Sequence, residues 1–213
     1  MTPPSETTVL AVLAGGAARR LGGADKALLA MGDGRPLLAH LVDRLAPWPG
    51  PVVLCAGGDP ARFAAFGLPV VADTLREPDG RPAGPLAGLL AALEWTRAVH
   101  PGVAWLVSVP GDLPVAPPDL LARLWATRAR SGATVVRAAS GGRIHHAVAL
   151  WPVARATALR HALTAEGLRR VDAWAGRHRG AVADWPADPV DPFLNVNTPA
   201  DLARARALTA PRY

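Results

Sequence analysis

Apolar and polar positions along the chain keep two rhythms. Short unbroken apolar runs, bounded by glycine, proline or aspartate, predict buried strands at 9–13 (VLAVL), 52–56 (VVLCA), 70–72 and 105–109 (WLVSV). Between them, apolar residues recur at helical spacing. These segments predict helices at 37–45 (LLAHLVDRL), 86–98 and 118–130, with a shorter one at 61–66. Proline-rich PWPGP stops the first of them, and Pro-Pro opens 118–130. Further along, 134–138 and 147–151 predict a strand pair joined around SGGR. Helices follow at 154–163 and 168–177, then a last strand at 181–185 and a closing helix at 199–208. Residues 73–83 (DTLREPDGRPA) are polar and turn-rich and read as a loop, and the first seven or so residues read as loose.

Strands alternating with helices imply βαβ crossovers. The expected fold is α/β: a Rossmann-like three-layer arrangement, a mostly parallel central sheet with helices on both faces. At 213 residues, with 50% hydrophobic, the chain is long enough for one sizeable core, and residues 1–213 read as one domain without a linker or internal repeat. Sheets of this kind bind ligands at the carboxyl ends of their strands, which directs attention to the loops after Leu13, Ala56, Ala72 and Val109.

The loop after the first strand belongs to LAGGAARRLGGADKALL. It holds Gly15-Gly16, Arg19-Arg20, Gly22-Gly23 and Asp25-Lys26. Glycines let backbone N–H groups approach an anion, and the basic side chains add positive charge. The stretch is neither GxxxxGK[ST] nor GxGxxG. Lys26 is the sole lysine beside 22 arginines. Its ammonium is a compact point charge that fits between phosphate oxygens differently from a flat guanidinium. The facing loop, PGDLP, presents Asp112 rigidly between prolines; that carboxylate suits Mg²⁺ bridging substrate phosphates, or simply caps a turn. Asp73 ends the third strand, and Gly84, Pro85 and Leu86 begin GPLAG, a tight helix start or a wall around a base. His145 and His146 are adjacent on a strand and point to opposite faces, which argues against a shared metal. Asn195 and Asn197 share one face of an extended segment, with Thr198 as N-cap and Pro199 in the first turn of the closing helix.

Charge and cysteine content narrow the classes. The net charge of +6 comes from arginines scattered along the chain, and only 5% of residues are aromatic, so nucleic acid is not the expected partner; an anionic small substrate suits the charge equally well. No run of about 18 apolar residues offers a membrane span, and MTPPSETT lacks the pattern of a signal peptide. The single cysteine, Cys55, excludes an internal disulfide and suits a reducing cytoplasm.

VLAGGAARRLGGADKALL, GPLAG, PGDLPVAPPDLL, HHAVALW and NVNTPADL occur in that order from about residue 9 to 202. Together they resemble the molybdenum cofactor guanylyltransferase family. The resemblance implies a Rossmann-like nucleotidyltransferase that moves GMP from GTP to the terminal phosphate of molybdenum-loaded molybdopterin and releases pyrophosphate. It implies Mg²⁺ at Asp112, and nucleotide contacts from Leu13, Ala14, Gly15, Gly16, Lys26, Cys55, Asp73, Gly84, Pro85, Leu86 and Asp112. Lys26, Asp112 and Arg19 would carry catalysis electrostatically. Arg169, Arg170, Asn195 and Asn197 would face the second substrate, the anionic, hydrogen-bonding pterin. Partners implied are GTP, molybdopterin or its molybdenum cofactor, and transient contacts with other cofactor-biosynthesis proteins and cofactor-accepting apoenzymes. Three departures stand out: Cys55 occupies a position where the family often has Ser or Asn, and Gly57-Gly58 replace Asn-Arg-like residues, leaving backbone contact there. His146 replaces the proline of the family's His-Pro. A CTP-dependent or sugar-phosphate nucleotidyltransferase and a non-catalytic GTP-binding escort are the alternative readings.

Overall fold

The computed structural model describes residues 8–15, 25–46, 48–73, 75, 77 and 83–210. The elements run β1 (Thr8–Leu13), α1 (Leu37–Leu45), β2 (Val52–Cys55), β3 (Val70–Val71), α2 (Pro85–Val99), β4 (Trp105–Pro110), α3 (Leu120–Ser131), β5 (Val135–Ser140), β6 (Arg143–Pro152), α4 (Ala156–Thr164), α5 (Val171–Ala175), β7 (Gly180–Trp185) and α6 (Pro199–Thr209). The strands form a seven-stranded sheet in the order β3-β2-β1-β4-β6-β5-β7. Only β6 is antiparallel to its neighbours, so β5 and β7 run in the direction of β1 and β4.

Period-two alternation in the strands builds two cores. Leu10 and Val12 of β1 face α1 and α3, packing with Leu38, Leu41, Leu120 and Leu124. Val9 and Ala11 face the other way, onto α2, α4 and α5, with Leu89, Leu93, Leu159 and Trp174. A third, small cluster joins α6 to the start of α1 through Val196, Ala205, Met31 and Leu37. The connection through α1 carries the chain from β1 to β2, and the connection through α2 carries it back past β1 to β4, on opposite faces. The chain therefore changes winding direction between β1 and β4, and a crevice opens at the carboxyl ends of those two strands.

The predicted elements are present, with three corrections. β6 begins at Arg143 rather than at residue 147, so both histidines lie within the strand. The turn is then the pair Gly141-Gly142, both at positive φ (54° and 77°), a conformation that suits a two-residue hairpin and costs other residues strain. The helix predicted at 168–177 shrinks to Val171–Ala175. Gly167 is left-handed (φ 65°), Leu168 N–H returns to the Ala162 carbonyl, and Arg170 is extended, so helical geometry cannot start earlier. The helix predicted at 118–130 starts at Leu120, after the Pro-Pro pair rather than on it.

Candidate functional site

The crevice is built from backbone before any side chain enters. Ala14 N–H donates to the Cys55 carbonyl (2.8 Å), and Gly111 N–H donates to the Leu13 carbonyl (2.9 Å), knitting the ends of β1, β2 and β4 together. Glycine suits position 111 because a Cβ there would stand 3.0 Å from Ala14 Cα and 3.1 Å from Ala14 Cβ, so β1 would have to give way for a larger residue. A Cβ on Gly88, in the first turn of α2, would come within van der Waals contact of Leu13 and Cys55, so the amino end of that helix abuts the same strand ends. Gly84 caps it at φ 85°, and Pro85 starts it with no N–H to leave unpaired. A helix amino terminus beside glycine loops is a favourable seat for an anion.

Lys26 begins a 3-10 turn, Lys26–Leu28, that Asp25 caps by accepting the Ala27 N–H (3.2 Å). That cap aims the lysine at the β4 loop. Its Nζ donates to Asp112 Oδ2 at 3.2 Å and to Asn197 Oδ1. Both side chains of the ion pair are about four-fifths covered, with 20% and 18% exposed. Asp112 is fixed from behind as well: its carbonyl accepts the Val196 N–H (3.0 Å), which ties the Asn195–Asn197 segment to the β4 loop. Val196 is fully buried while Asn197 is exposed, the alternation expected of an extended segment. Burial pushes the Asp112 carboxyl above the usual carboxylate range, and the Lys26 ammonium opposes that rise. Oδ2 is taken by Lys26; Oδ1 is buried and has no hydrogen-bond partner among the described residues. Asn195 Oδ1 is in the same condition.

The α6 helix holds this assembly in place. Thr198 and Asp201 form a reciprocal capping box at its start, and hydrogen bonding to Thr198 draws the Asp201 carboxyl below its usual range. The helix docks on the chain just after Lys26: Arg206 Nε donates to the Ala30 carbonyl (3.1 Å) and Gly32 N–H to Thr209 Oγ1 (3.0 Å). A Cβ on Gly32 would lie 2.1 Å from the Arg206 carbonyl oxygen, so only glycine admits the helix so close.

The remaining sequence candidates fall around this centre in different ways. Asp73 is buried at the end of β3 and its carboxylate accepts the Leu75 N–H (2.9 Å). Leu86 and Cys55 turn their side chains into the core, leaving backbone to the crevice. Burial, with Asp73 nearby, pushes the Cys55 thiol up to about 12. Arg169 pairs with Glu77 and also donates to the Leu163 and Leu168 carbonyls, tying the α4–α5 connection to the segment after β3. Arg170 is exposed and pairs with Asp172. Gly16 and Arg19 lie outside the described residues.

Two groups escaped the sequence reading. Arg62, in the 3-10 turn Pro60–Phe66, forks from Asp25 Oδ2 (3.0 Å) to the carbonyls of Gly57 and Asp59. It links the lysine's capping residue to the loop after β2. Ser140 donates to Asp191 Oδ1 and meets His145 Nε2, both at 2.7 Å. The carboxylate contacts the serine rather than the histidine, so this is a brace for the chain leading to Asn195 and not a relay that activates a nucleophile. No group of three or more His, Cys, Asp or Glu side chains converges on a metal position among the described residues. No helix of the described residues is long and apolar enough to cross a membrane.

A doubly wound sheet, with glycine loops, a lone lysine and one carboxylate meeting at its switch point, defines an enzyme of the nucleotidyltransferase class. Residues 10–181 match the MobA-like NTP transferase domain, and the chain belongs to that family. A protein of Rhodopseudomonas palustris strain BisB5 named molybdenum cofactor guanylyltransferase is 49% identical over 201 residues, covering 94% of this chain and 93% of its own. One of the same name from Bradyrhizobium sp. strain ORS 278 is 47% identical over 213 residues, covering 99% and 97%. Among solved structures, molybdopterin-guanine dinucleotide biosynthesis protein A of Archaeoglobus fulgidus superposes with a TM-score of 0.70 at 22% identity, covering 94% of this chain and 97% of its own. A Mycobacterium tuberculosis protein in complex with manganese gives 0.65 at 20%, covering 94% and 98%. These two likenesses concern the fold.

Proposed function

We propose that this enzyme transfers GMP from GTP to the terminal phosphate of molybdenum-loaded molybdopterin, giving the guanine dinucleotide form of the cofactor and pyrophosphate. The observation that carries the reading is the meeting of Lys26, Asp112 and Asn197 at the switch point of the sheet. The names of relatives 47–49% identical over nearly the whole chain support the choice of substrates.

The reaction needs little covalent help from protein. The nucleophile is a phosphate oxygen, already ionised near neutral pH, so no strong general base is required. It attacks the α-phosphorus in line; a new P–O bond forms as the α–β bridging bond breaks, and pyrophosphate takes the electron pair. The obstacle is bringing two anions together. The protein's part is positioning and positive potential: the chain end Leu13, Ala14 and Gly15 that leads into the glycine loop, the amino end of α2 at Gly84–Leu86, and the Lys26 ammonium. Arg19 and Gly16 complete the loop in this reading. Asp73 and the Cys55 backbone are the candidate contacts to the nucleoside. Asn195 and Asn197, with Arg169 and Arg170 further off, are the candidate contacts to the pterin.

Asp112 fits a divalent cation. It is one carboxylate with one oxygen engaged by Lys26 and the other buried and, among the described residues, unpaired. Mg²⁺ is commonly held by one or two carboxylates together with substrate phosphates, so a single Asp is a sufficient protein share. When bound there, Mg²⁺ would neutralise charge on the phosphates.

The test is pyrophosphate release with GTP, Mg²⁺ and molybdenum cofactor, against mixtures lacking each, followed by ATP and CTP in place of GTP. Guanine offers N1–H and an exocyclic amine to acceptors at the strand ends, and adenine leaves such acceptors unpaired. Discrimination of about 10²-fold is expected. Faster turnover with CTP would reassign the nucleotide and leave the phosphate chemistry in place. Release of pyrophosphate only from GTP mixed with a sugar phosphate would overturn the proposal.

A further inference from the structure

The opposite pole of the sheet carries a second cationic site. Because β5 and β7 run parallel to β4, Thr134 and Arg179, which immediately precede them, lie at the amino ends of the parallel strands, away from Lys26 and Asp112. A cleft of about 530 Å³ opens there between α4 and the α5–β7 connection. That volume is within the range of small-molecule sites and exceeds what a bare oxyanion fills.

Its lining is unbalanced in charge. Arg155, Arg177 and Arg179 face one carboxylate, Glu166. Glu166 pairs with Arg177 (2.7 Å) and with His161 (3.1 Å). Among the described residues no carboxylate pairs with Arg155 or Arg179; Arg179 spends one guanidinium N–H on the Ser131 carbonyl (2.8 Å). Burial, and the charges of Arg155 and Arg177, hold the His178 imidazole below its ordinary pKa. Counting only the arginines and the glutamate, the lining keeps an excess of two positive charges.

Unmet hydrogen-bonding groups accompany the charge. Trp174 is only 2% exposed and lines the cleft, yet its indole Nε1, a donor with no acceptor capacity, has no partner among the described residues. His178 packs edge-on against that indole, 4.6 Å between ring centroids, and its Nε2 is buried without a partner too. Buried donors are rarely left unmet in folded proteins. The guanidiniums of Arg155 and Arg179, without a carboxylate partner among the described residues, are donors that suit an acceptor with several oxygens.

We propose that this cleft binds the phosphate group of a small molecule, as free phosphate or as a phosphate ester, at a site separate from the reaction centre. A phosphate monoester carries between one and two negative charges at neutral pH, matching the excess on the lining, and its oxygens are suited to accept from the guanidinium forks of Arg155 and Arg179.

Titration calorimetry tests this on the full chain carrying Lys26→Ala and Asp112→Asn together, which strips the phosphate-directed side chains from the other pole. The probes are inorganic phosphate, GMP and a glutamate-rich peptide. Saturable binding of phosphate or GMP at one site per chain is expected, weakened by about tenfold or more when Arg155→Glu is added and circular dichroism shows the fold retained. Trp174→Phe keeps the ring and removes the donor; if it folds, a loss of about threefold or more is expected. Tighter GMP than phosphate identifies an ester as the ligand, equal affinity free phosphate, and both support the site. No saturable binding up to about 10 mM, binding indifferent to Arg155→Glu, or preference for the peptide would overturn it. None of these outcomes bears on nucleotidyl transfer, which is read in the parent chain by pyrophosphate release.

Discussion

Lys26 and Asp112 are separated by 86 positions in the chain and by 3.2 Å between Nζ and Oδ2. Neither charge is left alone in a partly buried crevice, and each is ready to exchange its partner for a phosphate or a cation. An ion pair of this kind keeps a polar site folded while it is empty of substrate.

Lys26→Ala should lower turnover about 10²-fold or more, on the order of 3 kcal/mol, as expected for losing one electrostatic donor to the transition state. The fold should persist with a lower thermal midpoint, because Asp112 is left mostly buried without its cationic partner. Steady-state pyrophosphate release and a melting curve on the same preparation check this; turnover near the parent value would remove Lys26 from the phosphate site.

Asp112→Asn should abolish most Mg²⁺-dependent turnover. The amide preserves shape and still accepts from Lys26, but it loses the charge that holds a cation. A Mg²⁺ titration of rate decides the point, and an unchanged Mg²⁺ dependence would leave Asp112 as a structural partner of Lys26 only.

Asn197→Ala removes an acceptor from the same ammonium. Its place beside Lys26 puts it where the nucleotide phosphates and the second substrate would meet, so turnover should fall about tenfold or more. If the residue serves the pterin side, the KM for molybdenum cofactor rises more than GTP affinity falls. Equal losses would assign it to the nucleotide.

Cys55 should be inert in the native protein. With its thiol pushed up to about 12 by burial and by Asp73, almost no thiolate exists at pH 8. A chromogenic disulfide reagent should react with one thiol per chain in denaturant and with essentially none before. Rapid native labelling would show that the packing of β2 against α2 opens.

Acid should destabilise the fold through its histidines. Burial is the leading cause that holds His145, His146 and His178 below their ordinary 6.5. A group with a depressed folded pKa binds fewer protons folded than unfolded, so for histidine the stability is complete above about 6.5 and is lost as pH falls through the lower folded values. The melting temperature should therefore drop between pH 7 and pH 5, by about 2–4 °C for each kcal/mol lost. His145→Gln, which retains a partner for Ser140, should make that slope shallower. An identical slope would place the acid sensitivity elsewhere.

The layers of the fold were legible because apolar runs and helical spacing are local. α1 spans 37–45 as its spacing predicts, since Pro36 and the proline-rich segment after it leave no freedom at the ends. The brevity of α5 was not legible, because its apolar spacing continues through residues whose backbone Gly167 has already turned aside. In the site, the residue types at Lys26, Asp112 and Asn197 were readable, and their convergence was not: it depends on α6 returning to pack on Gly32, a contact between distant parts of the chain. Arg62 gave no signal at all, since two of its three partners are backbone carbonyls, which every residue has.

One lysine, four-fifths covered and held between a carboxylate and an amide, makes this crevice addressable by isotope chemistry. Reductive methylation with ¹³C-formaldehyde would add label at the α-amino group and at a single ε-amine. The resulting lysine resonance reports the crevice alone, without assignment of the rest of the spectrum. Its response to each nucleotide, cation or pterin is a direct readout of which ligand reaches Lys26, in a molecule whose other 22 basic side chains, all arginine, stay silent.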